Sequence, residues 1–244
     1  MNLSEKLCWH LQQKKIEIQK FFYSIFIKKV NIEGIYLPIK FSYSNRVFQF
    51  IINGQYEKPE LECVKKHLTK EDIVVEFGSG LGLLSAFAAT IVGNKNVHTY
   101  EGNEKLAKII QETYALNKVN PSIIFSLVGN EEKMVEFNVE PKDVWASSVI
   151  SKTITSIQIQ KNQLKANDII DQHKPTFLII DIEGAEENLL SSLDLTKVKK
   201  LQIEFHPQVY GEDCMNSLKE IILNKGFKLE IGDDPQSFYF FKPI

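Results

Sequence analysis

Cysteine is scarce in this chain of 244 residues, and the three that it has, Cys8, Cys63 and Cys214, lie far apart. An odd and unclustered set argues against a disulfide framework and against a zinc site made of cysteines. An excess of basic charge is also missing, because the formal net charge is -2. Binding to the phosphate backbone of nucleic acid normally shows as such an excess, so we expect no nucleic-acid partner.

Long apolar runs are missing as well. The first ten residues lack the basic segment and apolar stretch of a signal peptide, and no run approaches the length of a membrane span. We therefore expect a cytoplasmic protein without a membrane span. The length and a hydrophobic share of 43% suit one large domain with a full hydrophobic core.

The first 55 residues precede the regular part of the chain. Apolar residues at helical spacing predict a helix over residues 4–29, capped by Ser4. Its apolar end, residues 21–27, suits either a surface anchor or packing on the core, and we favour packing because the run is too short to span a bilayer. Residues 30–41 alternate about Glu33-Gly34, which predicts a hairpin.

From residue 56 onward, short apolar strands alternate with helices. A short helix is predicted to begin at Pro59. The predicted strands are residues 73–75, 97–100, 123–127, 177–180, 201–205, 227–231 and 238–241, with strand-like pieces at 135–137 and 157–159 as an insertion or edge. The predicted helices are residues 83–92, 104–116, 164–171, 186–193 and 214–224. We therefore divide the chain into an N-terminal extension, 1–55, and a main domain, 56–244. Strands that are apolar on both faces indicate a doubly wound α/β fold with a mostly parallel sheet.

Ligands of such sheets bind beyond the carboxyl ends of the strands. The first predicted strand ends in Glu76-Phe77 and is followed by Gly78, Gly80 and Gly82. Glycines allow a tight turn, and the helix after it offers free N–H groups to an anionic group. The spacing differs from the dinucleotide fingerprint, which wants a small residue where Leu83 stands. Alone, these glycines equally describe a turn without a ligand.

Glu101 follows the next strand, about 20 residues beyond the glycine turn. A carboxylate there accepts hydrogen bonds from two ribose hydroxyls, although a solvated charge is the simpler alternative. The glycine turn and Glu101 together indicate a nicotinamide dinucleotide or S-adenosylmethionine as the ligand. We favour S-adenosylmethionine, because Glu76 offers its ammonium group a partner that NAD does not need. The helix–strand–strand ending of the chain also suits a methyltransferase.

Polar residues also follow two later strands. Asp181 and Glu183 share one side if the backbone stays extended, and Glu204 and His206 do the same after the next strand. The structural alternative is that either Asp181 or Glu183 caps the following helix. Glu186 lies in the first turn of the next helix, where an acidic side chain complements the helix dipole.

With these residues the chain resembles the FkbM-like methyltransferases over about residues 54–227. The matching motifs are Tyr56-Glu57, residues 75–82, 100–103, 145–148 and 203–206, and above all residues 181–186. Ser79 departs mildly from the usual loop. The resemblance implies a seven-stranded class I, Rossmann-like fold, S-adenosylmethionine as cofactor and O-methylation of a hydroxyl on a sugar or other small polar molecule. The cofactor-binding candidates are Tyr56, Glu57, Glu76, Gly78, Ser79, Gly80, Glu101, Gly102 and Asn103.

The catalytic candidates are Asp181, Glu183, Glu204 and His206. His206 or Asp181 would act as the general base, and Glu183 and Glu204 would orient the acceptor or the histidine. The same four side chains suit either a divalent metal or a hydrogen-bonded network, and we assign no metal. Two alternatives remain open at this point: a nicotinamide-dependent oxidoreductase and a non-catalytic, cofactor-binding protein of the same fold.

Overall fold

The computed structural model describes residues 2–139, 157–233 and 237–244. The strands within them are β1 Lys29–Ile32, β2 Ile35–Pro38, β3 Val74–Phe77, β4 Val97–Tyr100, β5 Ser122–Ile124, β6 Leu127–Gly129, β7 Lys133–Val139, β8 Ile157–Lys165, β9 Phe177–Ile180, β10 Lys200–Glu204, β11 Phe227–Asp233 and β12 Phe238–Pro243. The α-helices are α1 Leu3–Phe22, α2 Asn45–Ile52, α3 Lys58–His67, α4 Leu83–Val92, α5 Ala107–Leu116, α6 Ala166–His173, α7 Glu186–Leu190, α8 Pro207–Tyr210 and α9 Glu212–Asn224.

A seven-stranded sheet forms the centre of the described structure, in the order β11-β12-β10-β9-β3-β4-β5. The strands β10, β9, β3, β4 and β5 are parallel, and β12 is antiparallel to both of its neighbours. The central strands are fully buried because helices cover both faces. This arrangement confirms the predicted doubly wound α/β fold of the class I methyltransferase type.

The chain reverses direction across the sheet at β3. It moves outward from β3 through β4 to β5, and later returns to place β9 on the other side of β3. Phe77 pairs with Tyr100 of β4 and with Ile180 of β9, so the three strands end at the same level. Ligands bind at such a switch point in open α/β sheets. The residues that follow these strands therefore meet in one place.

A second, three-stranded sheet has the order β6-β8-β7. Its strands β7 and β8 contain the two pieces that the sequence marked as an insertion or edge, and Phe137 pairs with Ile159. The prediction of a single strand over residues 123–127 is wrong, because a break in the extended conformation separates β5 from β6. Ser126 lies in the break, and its hydroxyl donates a hydrogen bond to the Asn162 carbonyl of β8 (2.8 Å). This bond turns β6 away from the main sheet.

The N-terminal helix begins one residue earlier than predicted. Asn2, not Ser4, caps α1: its side chain accepts the Glu5 N–H, and the Glu5 carboxylate accepts the Asn2 N–H. A π-helical turn, Tyr23–Ile27, follows and ends at Lys28. The predicted packing holds only in part. Ile16 and Lys20 are buried, whereas apolar side chains along the rest of the helix are exposed, including Leu7, Leu11, Ile18, Phe22 and Ile25.

The predicted hairpin is present as β1 and β2, and it docks on α5. Asn117 accepts the Tyr36 N–H and donates to the Tyr36 carbonyl, both at 2.8 Å. The unpredicted α2 follows, with its N-terminus capped by Ser44. Residues of the hairpin and α2 belong to the same hydrophobic core as β3. No described helix combines the length and the apolar character needed to cross a membrane. Residues 145–148 and the turn at 234–235 lie outside the described residues.

Candidate active site

The glycine turn after β3 sits against the end of β9. Gly78 has a φ of 82°, and a Cβ at this position would lie 1.6 Å from the backbone oxygen of Asp181. Its N–H donates to the Tyr100 carbonyl of β4 (2.8 Å). Any side chain here would push the turn away from both neighbouring strands, so glycine is required by contact as well as by backbone conformation. The close approach brings the turn and Asp181 into one site.

Glu101 is held by the turn itself. One carboxylate oxygen accepts the N–H groups of Ser79 (3.0 Å) and Gly80 (3.2 Å), and the other accepts the N–H of Asn103 (2.7 Å). Burial raises the pKa of Glu101, while these three backbone donors oppose the rise. The carboxylate is therefore fixed in position before any ligand arrives.

Tyr56 supports the turn from the other side. Its hydroxyl accepts the Leu81 N–H (3.2 Å) and makes a hydrogen bond to the Glu57 carboxylate. Glu57 has a φ of 46°, a left-handed conformation that is unfavourable for a residue with a Cβ. Burial raises its pKa well above the ordinary value, and the charge of Glu76 adds to the rise. Tyr56 thus places Glu57 in the site and does not itself line a cavity.

A cleft of about 680 Å³, counting its open mouth, lies over the turn. One wall is apolar and the other is acidic. The apolar wall is made by Leu106, Leu127, Val128 and Phe137, and the acidic wall by Glu57, Glu101, Asp181 and Glu183. Among the described lining residues there is no lysine, arginine or histidine.

A smaller and narrow cavity adjoins the cleft and shares Glu57, Gly78 and Asp181 with it. Its remaining polar lining consists of Glu60, Glu76, Gln202 and Glu204.

Two side chains of this smaller cavity are almost completely buried and only partly satisfied. Within the described residues, Glu76 Oε2 and Gln202 Oε1 make no hydrogen bond. Burial raises the pKa of Glu76 to about 8, against an opposing hydrogen bond from Ser85. The free oxygen of this buried carboxyl group can accept a hydrogen bond from a ligand, and a cationic ligand would offset the cost of ionising it.

His206 stands behind the acidic wall and is 3% exposed. Its Nδ1 lies 3.1 Å from Glu186 Oε1, and its Nε2 lies 3.4 Å from Glu183 Oε2 and 3.6 Å from Asp181 Oδ1. Burial lowers the pKa of His206, but the hydrogen bond to Glu186 and the surrounding carboxylates outweigh it and raise the pKa to about 10. With this pKa the imidazole is protonated on both nitrogens at neutral pH, which goes against His206 as the general base.

The carboxylates around His206 have raised pKa values. Burial raises the pKa of Glu183 to about 8 and that of Glu204 to about 9, and the charge of Asp181 adds to both. Burial also raises the pKa of Asp181 above its ordinary value, against the opposing charge of His206. Perturbed carboxylates that meet in a cleft are typical of functional sites.

The structure brings most of the predicted site together. Of the candidates, Glu57, Gly78, Gly80, Glu101, Gly102, Asp181 and Glu183 line the cleft, and Glu76 and Glu204 line the smaller cavity. Tyr56, Ser79, Asn103 and His206 are behind these walls and act through their neighbours. Sequence reasoning missed Ser126, Leu127 and Phe137 because it placed Ser126 and Leu127 inside a strand.

Glu186 lies in the first turn of α7, as predicted, but its role is not limited to the helix dipole. The side chain is fully buried, and its Oε1 accepts the N–H groups of Ile182 (3.3 Å) and Gly184 (3.2 Å) as well as facing His206. Its role is to hold both the turn after β9 and the imidazole.

Residues 72–229 match the model of the methyltransferase FkbM domain. This match spans well over half of the chain. The chain belongs to the FkbM methyltransferase family. It is therefore an S-adenosylmethionine-dependent methyltransferase, and the predicted cofactor is confirmed. The family assignment also goes against the nicotinamide-dependent alternative.

Several solved structures are similar to this chain at low identity. A precorrin-6y C5,15-methyltransferase from Geobacter metallireducens is 11% identical, covering 76% of this chain and 84% of that one, with a TM-score of 0.45. TYW2 from M. jannaschii, in complex with AdoMet, is 15% identical, covering 88% and 86%, with a TM-score of 0.44. A putative tRNA (m1A22) methyltransferase from Streptococcus pneumoniae, in complex with S-adenosyl-L-methionine, is 11% identical, covering 76% and 72%, with a TM-score of 0.44.

Proposed function

We propose that this methyltransferase acts on a hydroxyl group of a sugar or of another small polar metabolite. The observation that supports this acceptor is the charge of the site. Both cavities are lined by carboxylates, and their described lining contains no basic side chain. Carboxylates accept hydrogen bonds from hydroxyls, whereas they repel phosphate groups. A nucleic-acid acceptor is therefore disfavoured, and a neutral polyol is favoured.

The residues around the glycine turn fit the cofactor. We assign the two ribose hydroxyls to Glu101, which the turn already holds, and the adenine to the apolar wall formed by Leu127 and Phe137. The cofactor's ammonium group would give Glu76 Oε2 the cationic partner that it lacks among the described residues.

When bound, S-adenosylmethionine supplies an activated methyl group, whose bond to sulfur breaks as the acceptor oxygen takes the carbon. The protein then has two tasks. It positions the acceptor oxygen in line with that bond, which supplies roughly 7–11 kcal/mol, and it removes the hydroxyl proton, which supplies about 10² to 10⁴ in rate.

We assign to Asp181 the role of accepting the hydroxyl proton, because it lines both cavities and its pKa is raised. Glu183 and Glu204 orient the hydroxyl, and His206 acts as a positioning residue from behind. A protein of the same fold that only binds the cofactor would not need side chains in these roles.

Calorimetry with S-adenosylhomocysteine and NAD, followed by methyl-transfer assays on hydroxylated acceptors, tests the proposal. We expect binding of the first ligand only. Asp181→Asn and His206→Ala should lower turnover by about 10² or more while cofactor affinity stays near the wild-type value. The exposed Glu187→Gln is the matched control.

Turnover and melting temperature are measured on the same preparations. Normal turnover per folded molecule in both site variants would show that the cluster is structural. Transfer to nucleic acid but to no hydroxylated small molecule would refute the acceptor class.

A further inference from the structure

Three potential metal ligands converge beside the glycine turn: Asp181, Glu183 and His206. One nitrogen or oxygen atom from each lies within 4.8 Å of the other two. Two of the ligands come from the turn after β9, and the third is the second residue after β10. Since β9 and β10 are adjacent parallel strands, the sheet itself brings the three side chains to one edge.

The distances between these atoms are too long for strong hydrogen bonds. His206 Nε2 lies 3.4 Å from Glu183 Oε2 and 3.6 Å from Asp181 Oδ1. A charge-assisted hydrogen bond of this kind measures about 2.7–2.9 Å. By contrast, two ligands that are each about 2.1 Å from one tetrahedral ion lie about 3.4 Å apart. The two distances from His206 Nε2 are therefore compatible with an ion bound between the side chains.

A second observation concerns hydrogen bonding. Asp181 Oδ1 is buried and accepts no hydrogen bond from any described residue, although it faces His206. His206 is itself 3% exposed, and its Nε2 points at the two carboxylates while Nδ1 is engaged by Glu186. A buried acceptor and a buried ring nitrogen thus face the same point.

The orientation of His206 is set from outside the cluster. Glu186 Oε1 lies 3.1 Å from Nδ1, and the backbone N–H of His206 donates to the Tyr210 hydroxyl (2.7 Å). A carboxylate on one ring nitrogen keeps a proton there, and an ion at the other nitrogen would displace the second proton of the imidazolium; this arrangement recurs in metal sites.

The turn that carries the carboxylates is also held in an unfavourable conformation. Glu183 has a φ of 53°, and Gly184 has a φ of 101° with no room for a Cβ beside Val209. Non-glycine residues in this region are strained, and such strain collects at functional sites. Here it directs the Glu183 carboxylate toward His206.

We propose that Asp181, Glu183 and His206 form a binding site for one divalent transition-metal ion, with Glu186 as the carboxylate that orients the histidine. One nitrogen and two carboxylate oxygens suit ions such as Mn²⁺ and Zn²⁺. Three protein ligands leave a coordination position open for an oxygen of the acceptor.

The role of the ion rests on the proposed function, but its binding does not. It would hold the acceptor hydroxyl and lower its pKa. Asp181 would bind the ion through one carboxylate oxygen and accept the hydroxyl proton on the other.

Mn²⁺ binding to the full chain, after treatment with a chelator, tests the proposal without any turnover assay. Mn²⁺ is a good probe because it prefers oxygen and nitrogen ligands, so the exposed Cys8 does not compete. Loss of the free-ion signal in electron paramagnetic resonance should show one ion per chain, and pulsed measurements should show coupling to a nitrogen.

His206→Ala should remove the nitrogen coupling, and His206→Ala, Asp181→Asn and the half-buried Glu183→Gln should each weaken binding at least tenfold. Glu186→Gln should weaken it by about tenfold to a hundredfold. The neighbouring Glu187→Gln should bind as the wild type does. Binding of S-adenosylhomocysteine by each variant verifies that it is folded.

Absence of bound Mn²⁺ at millimolar concentration in the wild type would refute the site. So would binding that all three ligand variants retain, since the ion would then lie elsewhere in the acidic cavities. Mn²⁺ binding with nitrogen coupling in a protein that methylates no hydroxyl would uphold the metal site and refute the proposed function.

Discussion

Glu76→Gln should stabilise the ligand-free protein at neutral and alkaline pH while it weakens cofactor binding. Glu76 is 1% exposed, and its pKa is raised from 4.5 to about 8. Between these two values the unfolded chain ionises Glu76 and the folded chain keeps it protonated. The unfolded state therefore binds fewer protons, and the free energy of unfolding falls as the pH rises.

The size of this effect follows from the difference in pKa. At pH 7 the unfolded Glu76 is about 2.5 units above its pKa, which costs the folded state about 3 kcal/mol at 1.36 kcal/mol per unit. Glutamine has the same shape and carries no charge. The variant should therefore melt about 6–12 °C higher near pH 7, using roughly 2–4 °C per kcal/mol for a chain of this size. At pH 5 the difference should fall below about 1 kcal/mol.

Thermal melts of both proteins from pH 5 to pH 9 measure the stability, and calorimetry with S-adenosylhomocysteine measures the second half of the prediction. Loss of the charged hydrogen bond to the ammonium group should reduce affinity about tenfold to a hundredfold. Glu187→Gln, an exposed carboxylate, should change neither quantity. A variant that is less stable than the wild type at pH 8, or a gap that does not vary with pH, would refute the reasoning.

Three further predictions concern the sheet and the turn. Asp72→Asn should cost about 3–5 kcal/mol in urea denaturation, because it leaves the Lys200 ammonium group without its buried partner, while the exposed Glu71→Gln should cost little. Gly78→Ala should lower the melting temperature and abolish S-adenosylhomocysteine binding, since its Cβ would overlap a backbone oxygen, and normal binding would contradict the tight turn. Glu101→Gln should weaken the same ligand about tenfold to a hundredfold in calorimetry, and an unchanged dissociation constant would mean that Glu101 only holds the turn.

The central sheet was predictable because its strands are short, apolar on both faces and bounded by turn residues. Strand β9 and helix α4 begin and end where the sequence predicts. Helix α4 is bounded by Gly82 and Gly93, which mark its ends in the sequence. Here local sequence preference and burial in the fold agree.

Helix α2 was missed although its buried residues recur at helical spacing. Val47, Phe48 and Ile51 are buried, while Phe50 on the other face is exposed. β-branched and aromatic residues of this kind favour strands when they are considered alone. The helix forms because Ser44 caps it and because the hairpin supplies an apolar surface against which it packs.

The meeting of Asp181 and Glu183 was predicted, but for a reason that the structure does not support. The prediction assumed an extended backbone, in which alternate side chains share one side. Strand β9 instead ends at Ile180, and Glu183 has a left-handed conformation. A strained turn brings the two carboxylates together, and its strain depends on contacts with Val209 that no local pattern reveals.

The charge of the site links its stability to its function. The described walls of the two cavities carry carboxylates without a basic side chain, so in the absence of a ligand they must take up protons or remain unfavourably charged. S-adenosylmethionine brings an ammonium and a sulfonium group, and both are positive. The same arrangement that destabilises the ligand-free protein therefore favours a cationic methyl donor, and it is the basis on which we propose a neutral acceptor over a phosphate-bearing one. Substitutions that neutralise these carboxylates should accordingly raise the stability of the ligand-free protein and weaken cofactor binding. Substitutions of surface carboxylates such as Glu187 should change neither.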